Sequence, residues 1–319
     1  MEEKELENKV EEKSQEVTSE KTFNYDHDAL KQIEETRAKF YKGYRISSIF
    51  KWPIAFLSIG VLVIAFFGMS FWGFPLALAV VLAAISLVFM ATYTLVSKFV
   101  LNKKSKKYFA NFYEQVTKYV FDDESLKEVD CEAARKIDRI EFDENLLYSN
   151  IDNVGSRALT FFKYKELALS VCDLAAQIRI DRRPKPVFVG KYVVAPSKYD
   201  INDPIFIYIK GDSKRSLPPT GLEEYKIAFD DEKMTVYSNN GKWNKFFVNK
   251  IKNAFLNLKK GDFLVDISIS LRPGKAYICL GYDDPLMVLP LDKPFDPEPT
   301  KEYKEELKAL LTIIEELNK

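Results

Sequence analysis

The sequence is poor in the residues that most catalytic and metal sites need. It contains one histidine, His27, and three widely separated cysteines that form no CxxC motif. A single histidine excludes most histidine-based catalytic schemes, because a Ser or Cys nucleophile needs a neighbouring base. An odd number of scattered cysteines argues against a zinc site and is typical of a protein of the reducing cytosol. The composition therefore predicts no cofactor and no bound metal.

Phosphate-binding loops and acidic catalytic pairs are also poorly represented. Gly241-Lys242 lacks the upstream glycine of a nucleotide-binding P-loop. Asp230-Asp231 and Asp283-Asp284 could hold a divalent cation or act as acid and base, but each pair falls where a hairpin or loop tip is expected. A solvated turn explains such pairs equally well. Asp266 could be a ligand, but one carboxylate makes no site.

Charged residues are absent from the whole segment Trp52–Ser97, a run of 46 positions. A break within the run, Gly68–Pro75, contains the residues of a short turn. Because a bilayer core is crossed by about 20 apolar residues, the run predicts two transmembrane helices, at about 52–67 and 74–97. A buried helical hairpin of a soluble protein is the alternative interpretation.

Lysine and arginine are concentrated on both sides of this run and absent from its turn. Excess positive charge stays on the cytoplasmic side, so the pattern predicts a two-span protein of the cell membrane with both termini in the cytoplasm. The lipid bilayer is then its first partner. The residues expected at the membrane interface are Lys51, Trp52, Trp72, Lys98, Lys103 and Lys104.

The segments that flank the run have helical periodicity. Residues 1–21 are mostly charged and predict a disordered tail. Residues 22–121 predict a helical hairpin, because apolar side chains recur at steps of three and four in Leu30–Tyr44, where Arg37 is the exception, and in Phe109–Val120. We expect these two stripes to pack on each other in the cytosol. Two separate helices on the bilayer surface are the alternative.

Residues 122–319 have the pattern of an α+β domain with a mainly antiparallel sheet. Two amphipathic helices are expected, Trp243–Leu258 and Tyr303–Leu317, the second with Thr300 as its N-cap. Strict alternation in Leu264–Leu271 predicts a strand with one wet face, which carries Asp266. Strands are predicted at Leu146–Ser149, Leu167–Val171, Val187–Ala195, Ile205–Ile209, Glu224–Phe229, Met234–Tyr237, Leu264–Leu271 and Ala276–Leu280.

The order of these C-terminal elements resembles a bacterial family of membrane proteins, domain of unknown function 3137. The similarity is carried by Glu223–Phe229, Met234–Ser238 and the closing segment Leu310–Leu317, and Val187–Tyr192 looks like the phenylalanine–glycine strand of that family. The resemblance covers roughly residue 164 to the end, together with the hairpin. It implies a two-span membrane protein with a cytosolic domain, and it transfers no catalytic residue.

One basic cluster interrupts the strand pattern, in the segment Arg179–Pro186. Its cations could contact a lipid headgroup, a phosphate or, less readily, a nucleic acid. The interleaved prolines favour an exposed solubilising loop instead. The candidate anion or headgroup contacts are Arg179, Arg182, Arg183 and Lys185.

Together these features predict a membrane protein with an N-terminal transmembrane hairpin, cytosolic helical extensions and an α+β domain. The function expected from the sequence is a membrane-anchored cytosolic binding or scaffold domain, with a protein partner or a second copy and without nucleic acid. An enzyme acting at the membrane surface is the alternative, in which Asp266 or the acidic pairs would share a cleft with the basic cluster. A subunit of an oligomeric transporter is the third.

Overall fold

The computed structural model describes residues 23–71, 73, 75–132, 135–198, 203–210, 217–242, 252–253, 264–282 and 291–318. The predicted disordered tail, the acidic pair Asp283-Asp284 and most of the predicted helix Trp243–Leu258 lie outside these residues. The chain divides into two compact units, Met1–Phe112 with Pro290–Phe295 and Tyr113–Leu289 with Asp296–Lys319.

The first unit is built on two long helices. Helix α1 is Asp28–Phe71 and helix α2 is Leu76–Val120, which continues past residue 112 into the second unit. Gly73, between the helices, has a φ of +66°, a conformation that glycine adopts without strain. The helices meet along one side, where the Ser86 hydroxyl donates to the Ser58 carbonyl at 2.8 Å.

One aromatic contact joins α1 and α2 beside the two predicted apolar stripes, since Phe40 belongs to the first stripe and Tyr108 directly precedes the second. The rings of Phe40 on α1 and Tyr108 on α2 stack with their centroids 4.5 Å apart. Arg37, the exception in the first stripe, is buried and donates to Glu34 at 2.6 and 2.7 Å and to the Leu291 carbonyl at 2.8 Å. Arg37 thus links α1 to the segment around Leu291, which precedes the last helix.

The prediction of a membrane-spanning hairpin is wrong. Among the described residues, no helix contains a stretch that is both long enough and apolar enough to cross a membrane. The fold class, the two-span topology and the location in the cell membrane are corrected accordingly. The sequence argument counted uncharged positions, and the absence of charge alone is not sufficient for a span, which also requires sustained apolar length.

The predicted interface residues depended on those spans. The side chains of Lys98, Lys103 and Lys104 are exposed on α2. Trp72 lies outside the described residues, as do the side chains of Lys51 and Trp52, although both belong to α1. Without the spans, the sequence argument for a membrane interface at these residues loses its basis.

Among the described residues, the strands of the second unit form a nine-stranded sheet in which every neighbouring pair is antiparallel. The order of the strands is β1-β2-β3-β4-β9-β8-β5-β7-β6. A short helix, α3 (Arg139–Asp143), follows β1, and helix α4 (Glu298–Leu317) ends the chain. The strands are β1 Leu126–Glu132, β2 Asn153–Tyr164, β3 Leu167–Ile180, β4 Arg183–Pro196, β5 Ile205–Ile209, β6 Lys226–Asp230, β7 Met234–Ser238, β8 Leu264–Arg272 and β9 Lys275–Tyr282.

Neither face of the interior strand β8 is exposed to solvent. This corrects the prediction, made from the alternation of its residues, that one face is exposed. Asp266, Ser268 and Ser270 are at most 3% exposed. Ser268 pairs with Cys279 and Ser270 with Tyr277, so they share the face of an aromatic core. Alternation distinguishes the two faces of a strand but does not show which of them is covered.

Several local predictions agree with the structure. The turn between β8 and β9 has Gly274 at a φ of +76°, as a type II turn requires. Helix α4 buries Leu307, Leu310, Leu311 and Ile314, but it begins at Glu298, so Thr300 is a buried helical residue and not the N-cap. The segment Leu146–Ser149 is no strand, and β1 and β2 were not predicted.

Candidate anion-binding ribbon

The basic cluster lies on a two-stranded ribbon at the end of β3 and β4. Strand β2 pairs with β3 only as far as Gln177, and β9 pairs with β4 only from Gly190. Among the strands that the structure describes, residues 178–185 therefore pair with one another and with no further strand. The predicted proline-containing loop is instead a hairpin whose side chains from 179 to 186 are all exposed.

The turn of the ribbon holds two residues in the left-handed conformation. Asp181 has a φ of 50° and Arg182 a φ of 65°, between the paired residues Ile180 and Arg183. Positive φ at both central positions defines a type I′ hairpin, which glycine and asparagine favour. An arginine there costs roughly 1–2 kcal/mol. Such strain at an exposed tip marks a position where the side chain matters more than the backbone preference.

Two prolines occupy the β4 side of the ribbon. In a two-residue hairpin the residues flanking the loop form the hydrogen-bonded pair, so Pro184 and Pro186 fall at positions whose N–H would point away from β3. Proline removes those outward donors and blocks the addition of another strand at this edge. The β4 edge of the ribbon therefore presents side chains and no outward backbone donors at these two positions.

The ribbon carries a concentrated positive charge. Arg179, Arg182, Arg183 and Lys185 are accompanied by one acidic residue, Asp181. Among the described residues, no ion pair involves any of the four cations. All four predicted contacts thus lie together on one projecting element, where their charges face solvent.

The acidic candidates do not join the basic cluster. The Asp266 carboxylate accepts from the Leu217 N–H at 2.9 Å and is buried. Asp230 accepts from Lys210 at 2.8 Å and from Thr235 at 2.6 Å in the β6–β7 hairpin. Strand β6 is five places from β4, or roughly 24 Å at the usual strand spacing. Within the part of the chain that is described, no cluster of acidic, cysteine or histidine side chains could hold a metal ion.

A second group of charged side chains is buried between the sheet and α4. Lys191 on β4 is 3% exposed and forms an ion pair with Asp173 on β3. Its ammonium also lies over the ring of Tyr303 on α4, 4.0 Å from the centroid. Beside this pair is a cavity of about 20 Å³, room for one water molecule. The arrangement ties α4 to the sheet and leaves no space for a larger ligand.

A buried carboxyl group completes this contact. Glu306 on α4 accepts a hydrogen bond from the Tyr282 hydroxyl, and its Oε1 has no hydrogen-bond partner among the described residues. Burial raises the pKa of Glu306 to about 7, a shift that the Tyr282 hydrogen bond partly opposes. Glu306 is therefore neutral in the native protein at mildly acidic pH, where it would be ionised in the unfolded chain.

We expect Glu306→Gln to change the pH dependence of stability. A carboxyl pKa raised from 4.5 to about 7 stabilises the folded state fully below pH 4.5, and this contribution disappears as the pH rises through 7. The difference in free energy of unfolding between variant and wild type should therefore shift in favour of glutamine by up to about 3 kcal/mol between pH 5 and 8. Denaturant unfolding at several pH values measures it.

Glu305→Gln is the matched control, because Glu305 lies on the exposed face of the same helix. It should not reproduce the pH-dependent difference. If Glu306→Gln and Glu305→Gln gave parallel curves, Glu306 would not be ionising in a buried environment.

The sequence did not predict that Lys191, Asp173 and Glu306 are buried, although Lys191 and Glu306 each stand out in the sequence pattern. Lys191 is the one charged residue within the apolar strand Val187–Ala195, and Glu306 lies on the apolar stripe of its helix, three residues after Tyr303. An isolated charge at an apolar position is a reason to look for a buried partner. The partners, Asp173 and Tyr282, belong to other strands and cannot be found by spacing.

Comparisons with known proteins assign no family. No protein-family profile matches the chain, and no curated protein matches it either. The resemblance to domain of unknown function 3137 thus stays a prediction. Among solved structures, the mycobacterial trehalose monomycolate transport factor A is similar at 9% identity, over 62% of this chain and 94% of that one, with a TM-score of 0.32. A TM-score this low carries no conclusion about fold or function.

Proposed function

We propose that this chain is a binding protein, and that its basic ribbon is the surface that contacts an anionic ligand. The observation that carries the proposal is the set of four cations, none with an ion-pair partner among the described residues, on a hairpin that extends beyond its neighbouring strands. Like charges held together repel one another, and a bound anion removes that repulsion. A solubilising surface would not need a strained arginine at its tip.

The chemistry of the ribbon favours phosphate groups. Three of the four cations are arginines, whose planar guanidinium groups form paired hydrogen bonds with phosphate oxygens. Arg182 and Arg183 are adjacent at the tip, so one ligand could contact both. A phosphate could come from a soluble phosphorylated molecule or from a lipid headgroup, and the chemistry at the ribbon is the same.

The enzymatic alternative has less support. It required Asp266 or the acidic pairs to converge on the basic cluster, whereas Asp266 is buried against Leu217 and Asp230 lies on β6, five places from β4 in the order of the sheet. A binding role needs no such convergence. The transporter alternative depended on membrane spans, which no helix among the described residues provides. A protein partner or a second copy that presents phosphate or carboxylate groups is compatible with the proposal.

Arg183→Gln is expected to weaken binding of tripolyphosphate to the full-length protein about fivefold, which corresponds to the loss of about 1 kcal/mol from one exposed charge pair. Titration calorimetry at low ionic strength measures it, and added salt should weaken binding to the wild type, because exposed charges are screened. Arg139→Gln is the matched control, since Arg139 is an exposed arginine on α3.

Arg182→Gly separates binding from folding in the same titration. Glycine relieves the left-handed strain, so the variant should be at least as stable as the wild type while binding more weakly. Equal losses for Arg183→Gln and Arg139→Gln, or no loss for any ribbon variant, would contradict the proposal. Anionic phospholipid vesicles in place of tripolyphosphate distinguish a lipid headgroup from a soluble phosphate.

A further inference from the structure

The two faces of the ribbon differ in character. Directly paired residues and alternate residues share a face. Ile178 pairs with Lys185 and Ile180 with Arg183, so these four side chains lie on one face. Arg179 pairs with Pro184 and lies on the opposite face. One face therefore combines two aliphatic side chains with two cations.

Ile180 is the unusual member of this face. The residue is 46% exposed, next to a turn, at the end of a ribbon that no other described strand covers. A single exposed isoleucine needs no explanation by itself. Here it is paired with Arg183 and lies two residues from Ile178, which is half-buried, so the apolar surface continues from the tip toward the sheet.

We infer that the ligand of the ribbon is an anionic amphiphile, whose charged head contacts Arg183 and Lys185 and whose alkyl chain lies on Ile180 and Ile178. This inference rests on the proposed function and adds the chemical class of the ligand. Charge complementarity accounts for the head, because the ribbon carries four cations and one carboxylate. Ile180 and Ile178 account for the alkyl chain, because covering these two side chains removes apolar surface from water.

The length of the alkyl chain is the variable that tests the inference. Ethyl phosphate and octyl phosphate, both below the concentration at which micelles form, are titrated into the full-length protein. Each methylene that becomes buried should raise the affinity about fourfold, so octyl phosphate should bind at least tenfold more tightly than ethyl phosphate. Chemical shifts of the Ile180 methyl groups report where the chain binds.

Three variants distinguish binding of the charged head from binding of the alkyl chain. Ile180→Thr should reduce the ratio between the octyl and ethyl affinities several-fold while leaving ethyl phosphate unaffected, and threonine keeps the preference for a strand. Ile180→Val should retain most of the ratio. Arg183→Gln should lower both affinities by the same factor and leave the ratio unchanged.

The outcomes separate this inference from the proposed function. If the two phosphates bind equally to the wild type, the ligand is a simple anion, and only the amphiphile is excluded. If Ile180→Thr retains the full ratio of octyl to ethyl phosphate affinity, the alkyl chain binds to another surface and the inference is overturned. If neither phosphate binds, and tripolyphosphate does not bind either, the proposed function itself fails.

Discussion

Replacing Lys191 by Met is expected to lower the free energy of unfolding of the full-length protein by about 3–5 kcal/mol, because the change leaves a carboxylate without its counter-ion. Lys191 is 3% exposed, and its ammonium contacts both Asp173 and the ring of Tyr303. Methionine fills a similar volume but cannot neutralise Asp173. Denaturant unfolding, with amide hydrogen exchange of β4 to follow the sheet, measures the loss.

Two further variants show whether burial causes the effect. Lys165→Met removes an exposed ion pair with Glu315 and should cost no more than about 1 kcal/mol. The double variant Lys191→Met, Asp173→Leu removes both charges and should recover most of the loss, since an apolar pair of similar volume often replaces a buried ion pair without cost. If Lys191→Met alone lowered the free energy of unfolding no more than Lys165→Met does, Asp173 would be well solvated without its partner.

Replacing Leu311 by Ala is expected to cost about 2–5 kcal/mol, the usual range for a buried leucine. Leu311 is 5% exposed on the face of α4 that also buries Leu307, Leu310 and Ile314. Truncation removes apolar contacts and leaves a cavity that the neighbouring side chains fill only in part. Chemical denaturation of the full-length protein measures the change.

The adjacent position provides the control for this helix. Thr312 is exposed, and Thr312→Ala should change the free energy of unfolding by less than about 0.5 kcal/mol. An unchanged stability for Leu311→Ala would mean that α4 is not an integral part of the second unit. Among the ribbon variants, Arg183→Gln should leave this stability unaltered, because the ribbon pairs with no further described strand. Arg182→Gly should leave it at least as high, because glycine relieves the left-handed strain.

Local periodicity determined a large part of the fold. The strands β5, β7, β8 and β9 were predicted within two residues of their ends, because turn residues such as Pro273 and Gly274 bound short apolar runs. The buried stripe of α4 was predicted because a helix repeats its faces every three to four residues. These signals lie within about twenty residues of chain and need no knowledge of distant partners.

The two unpredicted strands show where periodicity fails. Strand β1 is an edge strand whose side chains are mostly exposed, so its sequence Leu126–Glu132 carries no continuous apolar run. Both β1 and β2 are irregular, with a register shift between Lys127 and Asp130 and another between Arg157 and Thr160. An extra residue in a strand reverses the alternation that identifies it.

For the candidate site, the sequence by itself supplied the cations, and only the tertiary structure decided how they are presented. Arg179, Arg182, Arg183 and Lys185 could be recognised as a cluster because they are neighbours in the chain. That they project from the sheet depends on where β2 and β9 end, which is a property of distant segments. The shared face of Ile180 and Arg183 depends on the register of the hairpin, which is fixed by its two-residue turn.

Burial was likewise decided by tertiary structure. The sequence established that Trp52–Ser97 is uncharged and that Asp266 alternates with apolar residues, but neither pattern states what covers a side chain. The structure places Asp266, Lys191 and Glu306 in the interior, each with a partner from another element. Features that depend on neighbouring residues, such as the basic cluster, could thus be predicted from the sequence. Burial and charge pairing arise from segments that meet only when the chain folds.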